Sequence, residues 1–166
     1  MNNFSINIQI QNQYQDKSLH DLLHLVASTT LSKFFNATQN ISLDIIIANN
    51  KILHDLNMEF MGENSTTDVL AFPTKYSKSE QLYSMNSKIN FLNKNINQVS
   101  IGEVYISYPQ AKKQSKLHCH TLDEEITILI VHGILHILGF DHRTIKENFE
   151  MIHATKFILN QISKKG

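Results

Sequence analysis

An α+β domain, with a small mixed β-sheet flanked by helices, is the fold that the hydrophobic spacing of this chain predicts. Three observations lead there. Phe4, Ile6, Ile8 and Ile10 alternate with polar residues, the period of a half-buried strand. The run Leu43 to Ala48 is β-branched and almost wholly apolar, and Ile101 to Ile106 is apolar on both faces apart from Glu103, as a central strand would be. The C-terminal third, finally, sets helix-start and helix-stop residues around apolar positions three and four apart. A length of 166 residues fits one domain, 1–166, with a real hydrophobic core.

The remaining elements follow in order. A helix is expected after Ser18, with Leu19, Leu22, Leu23 and Val26 on one stripe. From Lys51, residues Ile52, Leu53, Leu56 and Phe60 recur at helical spacing, and Gly62 to Thr67 read as a polar loop. Val69 to Phe72 form a short strand ended by Pro73. At about 74–98 the composition turns to Ser, Asn and Lys, a polar surface insertion with a short helical turn near Leu82. Ser107 followed by Pro109 opens a helix with proline in its first turn. Thr121 with Glu124, and again Thr144 with Glu147, are capping-box pairs. The first pair opens an apolar helix through Ile126, Leu129, Ile130 and His132 that runs to about Leu138 and stops at Gly139. The second opens a last helix with Phe149, Ile152, Ile158 and Leu159 facing inward.

Composition narrows the function classes. Apolar residues at 42% and charged residues at 18% belong to a globular chain. Fifteen basic residues balance fifteen acidic ones, so no global field draws the chain to nucleic acid or anionic lipid. Arg143 is the only arginine, which weakens bidentate phosphate recognition. Cys119 is the only cysteine, so no disulfide forms within the chain; it reads as a small buried filler in a reducing compartment. The N-terminus lacks the pattern of a signal peptide, and no run approaches the roughly 18 apolar residues of a membrane helix. A cytoplasmic protein without a membrane partner is expected.

The chemistry sits in His132-Gly133-Ile134-Leu135-His136-Ile137-Leu138-Gly139-Phe140-Asp141-His142. Two histidines four apart on a helix project from one face, one turn apart, and can reach one ion. Gly139 accepts the left-handed conformation that reverses the chain and can bring His142 back to them. Three neutral imidazoles plus a water make a tetrahedral zinc site with one open position, on a C-terminal helix and the turn after it. The spacing matches that of metzincin proteases, with one departure: Gly133 stands where those enzymes carry the glutamate base. Proteolysis by that route lacks its proton acceptor, whereas a metal able to activate water still supports hydrolysis.

The run HGILHILGFDH resembles the HGxLHLxGxDH signature of the YbeY endoribonucleases. Leu56-Asn57, then Thr67-Asp68-Val69-Leu70-Ala71-Phe72-Pro73, then Gly102-Glu103-Val104-Tyr105-Ile106-Ser107 resemble that family's LNxxYR, TDVLSFP and GDIxIS segments in the same order. The likeness covers roughly Ile41 to Ile158. It implies a mixed sheet with surrounding helices and one zinc ion per chain, held by His132, His136 and His142. It further implies a single-strand endoribonuclease in 3′-end maturation of small-subunit ribosomal RNA and in ribosome quality control. The partners implied are ribosomal RNA and the small ribosomal subunit, with a ribosomal protein or a GTPase as recruiter. Met61 falls where the family has the arginine of LNxxYR, after Phe60 in the tyrosine position. Ala71 replaces a serine and Glu103 an aspartate.

Other residues carry two readings each. Asp68 and Asp141 are candidates to accept the second N–H of a metal-bound histidine, or are simply loop and turn residues. Arg143 could reach a substrate phosphate or be solvated at a helix start. Phe60, Phe72 and Phe140 could stack bases, although core packing is the plainer reading. Lys112, Lys113 and Lys116 could meet backbone phosphates or form a solvated face. His118, His120 and His153 lack ligand spacing. No residue is assigned as general acid or base. Two function classes emerge: a zinc-dependent endoribonuclease, and a zinc-stabilised ribosome-assembly factor with weak or no nuclease activity, for which Met61 argues.

Overall fold

The computed structural model describes residues 4–36, 39–74 and 98–164. Four strands, β1 (Phe4–Ile10), β2 (Ile41–Ala48), β3 (Val69–Pro73) and β4 (Val99–Ser107), form one sheet in the order β1-β2-β4-β3. β1, β2 and β4 run parallel and β3 runs antiparallel to β4, so the sheet is mixed, as expected. Among the described residues five α-helices accompany it: α1 (Lys17–Phe34), α2 (Asn50–Leu56), α3 (Tyr108–Leu117), α4 (Leu122–Ile137) and α5 (Ile145–Ser163). Most of the polar insertion, with the helical turn expected near Leu82, lies outside the described residues.

Each strand sends alternate residues to opposite faces. On β2, Leu43, Ile45 and Ile47 enter the main core with α1 and α4, while Ala48 joins Leu53 of α2 and Leu70 of β3 in a smaller cluster with Ile46 and Tyr105. α4 is the central helix. Ile126, Ile130, Val131, Ile134 and Leu135 are fully buried along it, so it is apolar nearly all round, as a helix enclosed by other elements must be. Burying each such side chain contributes about 1.5–3 kcal/mol.

Caps define the helix ends. Asp16 and Ser107 accept backbone N–H groups at the starts of α1 and α3, with Pro109 in the first turn of α3. Both capping boxes read from the sequence are formed, Thr121 with Glu124 and Thr144 with Glu147. Such a cap is worth about 0.5–2 kcal/mol.

Three expectations about burial fail. In α5 the core side holds Met151 and Ile158 with Ala154, Leu159 and Ile162, whereas Phe149 and Ile152 face solvent at 70% and 45% exposure. The helix has more apolar residues than one stripe can hold, and packing against α1 and α4 selects the stripe through Met151. Phe60 is exposed rather than packed in the core, because α2 stops at Leu56 and Asn57–Met61 continue as one π-helical turn, which rotates later residues off the α-helical stripe. Cys119 is exposed, in the turn between α3 and α4, not a buried filler.

Candidate metal centre

The last turns of α4 carry His132 and His136 on one face. Their neighbour Gly133 faces the opposite way, onto the sheet. A Cβ there would stand 2.7 Å from Val104 Cγ1 and 3.4 Å from Val69 Cγ2, so only glycine lets α4 sit this close to β4 and β3. This answers the departure from the protease pattern. The position has no room for a glutamate, and one placed there would point into packed valines.

After Leu138 the chain reverses. Gly139 adopts φ 91°, its N–H donates to the His136 carbonyl at 3.0 Å, and the Phe140 N–H donates to the Leu135 carbonyl at 3.0 Å. These two bonds are a Schellman motif, which satisfies the last helical carbonyls and turns the chain back on itself. The turn delivers His142 to the other two. The His132 and His136 Nε2 atoms are 3.0 Å apart. One ring nitrogen from each of the three histidines lies within 4.8 Å of the others. Ring planes are inclined at 83°, 59° and 71° pairwise, so the imidazoles converge edge-on rather than stacking.

These residues fit a metal ion. Two nitrogens bound at about 2.0–2.1 Å to one tetrahedral ion stand about 3.3 Å apart, close to the His132–His136 separation. The protonation state suits the same role. Burial, reinforced by the neighbouring His136 and His142, pushes His132 down to about 4, and burial lowers His136 too. Neutral imidazoles with lone pairs available are what a metal needs.

Supporting groups differ in how they engage. Asp141 Oδ1 accepts from the His142 backbone N–H at 2.8 Å and lies 3.3 Å from His142 Nδ1, while its Oδ2 is 2.8 Å from Arg143 Nε. The backbone bond, with Arg143 beside it, holds its carboxyl below the usual range. Asp68 makes no hydrogen bond to a histidine. It accepts from the Val69 N–H at 2.8 Å and from Gln114 Nε2 at 2.9 Å, and acts on His132 only through its charge. Arg143 is 84% exposed. Lys112, Lys113 and Lys116 are exposed on α3. Phe140 packs edge-on to Phe34, whereas Phe60 and Phe72 form an edge-on pair that continues to Tyr105.

Two things escape the sequence reading. One is the Phe140 backbone beside the His136 ring, which opposes the lowering of its pKa by burial. Only the Gly139 reversal hints at it. The other is a second group, His118, His120 and Glu125, whose ligand atoms also lie within 4.8 Å of one another. The spacing of His118 and His120 gives no signal for it, because the turn at Cys119 creates it.

The chain is similar to known proteins along most of its length. The family described as Endoribonuclease YbeY matches residues 5–163. Endoribonuclease YbeY of Dehalococcoides mccartyi is 34% identical over 84% of this chain and 79% of its own length. Those of Acholeplasma laidlawii and Syntrophomonas wolfei are 30% and 28% identical, over 93% and 98% of this chain and 95% and 97% of their own. Among solved structures, TM1509 of Thermotoga maritima shares the fold, with a TM-score of 0.62 at 20% identity over 97% of this chain and 91% of that one.

Proposed function

The chain belongs to the Endoribonuclease YbeY family, and from that premise we propose that it is a zinc-dependent endoribonuclease of single-stranded ribosomal RNA. The convergence of His132, His136 and His142 at the end of α4 carries the reading. These three residues would hold the ion. Its chemistry there would be that of a Lewis acid, polarising a phosphodiester oxygen and lowering the pKa of water.

The chain's own groups do the rest. Burial keeps His132 and His136 neutral at the pH of the cell. Asp141 links the His142 ring to Arg143. The Arg143 guanidinium is exposed beside the site and is the nearest cation in sequence to the third histidine, so it would meet a backbone phosphate. The absence of a carboxylate at position 133 separates this site from the zinc proteases.

The biological setting we propose is 3′-end maturation of small-subunit ribosomal RNA and ribosome quality control in the cytoplasm, with the small subunit, and a ribosomal protein or GTPase, as partners. No helix among the described residues is long and apolar enough to cross a membrane. One observation favours the alternative of an assembly factor that binds RNA and cuts it poorly: Met61, exposed, offers neither charge nor donor where the family motif has arginine. Cleavage of a labelled single-stranded RNA by the zinc-loaded protein, the chelated protein and His136→Ala distinguishes them. Metal-dependent cleavage abolished by His136→Ala supports the nuclease; RNA binding with no cleavage in any state leaves the assembly factor.

A further inference from the structure

His118, His120 and Glu125 converge on the far side of the α3–α4 turn, through backbone constraints independent of the three-histidine centre. α3 ends at Leu117, the His118 N–H closes its last turn onto the Gln114 carbonyl at 2.8 Å, and the His120 N–H returns to the Ser115 carbonyl at 3.1 Å. Between them Cys119 adopts φ 57°. A non-glycine residue in the left-handed region costs about 1–2 kcal/mol, and persists where the surroundings hold it there. Its effect is to turn the two flanking imidazoles towards one point.

That point is a carboxylate in an unusual place. Glu125 lies in the first turns of α4 with its side chain only 4% exposed. Its Oε2 faces His118 Nδ1 at 3.1 Å and also contacts His120 Nε2. A carboxylate this buried requires compensation by positive charge or directed hydrogen bonds. These two imidazoles meet its side chain, one through Nδ1 and the other through Nε2. Two imidazoles and one glutamate form a donor set that zinc enzymes use. The site is also accessible: His118 is 56% and His120 23% exposed, so solvent can complete a coordination shell on the outer side.

We infer that His118, His120 and Glu125 form a second divalent-cation site, of zinc type, which staples the α3–α4 turn to the start of α4. The carboxylate supplies charge from within the core, and the two histidines close over the ion from the surface. The cation would neutralise Glu125 and hold Cys119 in its left-handed turn. The ion's role here is structural: the site is built on a turn and a helix start, and the three-histidine centre lies at the other end of α4.

The test is zinc stoichiometry on the full chain. Metal-free protein is equilibrated with Zn2+, dialysed against zinc-free buffer and analysed for bound metal. Two ions per chain are expected. His118→Ala/His120→Ala should retain one, removed in turn by adding His136→Ala. His136→Ala alone should also retain one, removed by the His118/His120 pair. The exposed single variant His118→Ala guards against misfolding of the double. Losing a direct ligand exceeds the roughly 10–100-fold loss for an outer partner, so its affinity for the second ion should fall at least about a hundredfold. One ion per chain in the unaltered protein, lost in His136→Ala and undisturbed in His118→Ala, would overturn the inference and leave the catalytic reading intact. One ion per chain in the unaltered protein, retained in His136→Ala and lost with the His118/His120 pair, would support it while counting against zinc at the three-histidine centre.

Discussion

His132 Nε2 and His136 Nε2 stand 3.0 Å apart across one turn of α4, with the outer turn bringing His142 to the same place. Among the described residues neither ring has an acidic partner in hydrogen-bonding contact, and burial disfavours protonation of both. The arrangement holds donors towards an ion with little reorganisation, because the helix fixes two of them and a Schellman turn fixes the third.

The first prediction concerns that ion. His136→Ala should remove one zinc ion per chain and abolish chelator-sensitive RNA cleavage. In the unaltered protein, free zinc at 100 times the Kd should stabilise the fold by about 2.7 kcal/mol, several degrees in Tm. Thermal melts with metal analysis check both. Undiminished zinc in the variant would remove His136 from the site.

A second prediction follows from pH. His132 has its folded pKa lowered from the ordinary 6.5 to about 4, and His136 is lowered as well. Between those values the unfolded chain takes up protons that the folded chain refuses, so metal-free protein should lose stability as pH falls from about 6.5 to about 4. Below that window both states are protonated and the loss is complete. Melting curves of the chelated protein and of His132→Gln across this range should diverge, the variant showing the shallower decline. Parallel curves would contradict the assignment.

Gly133→Glu tests the packing argument. Its Cβ would stand closer to Val104 than carbon atoms can approach, with Val69 against it, and it would bury a carboxylate without a partner. The expected destabilisation is on the order of 3 kcal/mol or more. A stable variant with chelator-sensitive peptidase activity would show that the position opens towards the metal instead.

Met61→Arg tests the weak-nuclease reading. Met61 ends the π-helical turn and is 51% exposed, so an arginine there costs little stability, within about 0.5 kcal/mol. If the guanidinium supplies the phosphate contact that the family motif implies, single-turnover RNA cleavage should rise by on the order of tenfold to a hundredfold, with zinc content unchanged. Equal rates from equally stable proteins would refute it.

Local chemistry made much of this molecule legible in its sequence. Alternation marked β1, both capping boxes marked the starts of α4 and α5, and Gly139 marked the reversal after His136, because each depends on neighbours within a few residues. The histidine spacing told of a shared site for the same reason: one helix turn and one glycine turn decide it. Other features needed the tertiary structure. Which stripe of α5 is buried was settled by α1 and α4, so Met151 lies inside and Phe149 outside. Gly133 looked like a missing base until Val104 and Val69 were found against it. His118 and His120 lack ligand spacing in sequence. They face one carboxylate only because Cys119 takes a left-handed turn and α4 carries Glu125 beneath it. Spacing along a chain reports what one element's geometry can bring together, whereas contacts between elements arise from packing, which no short window of sequence contains.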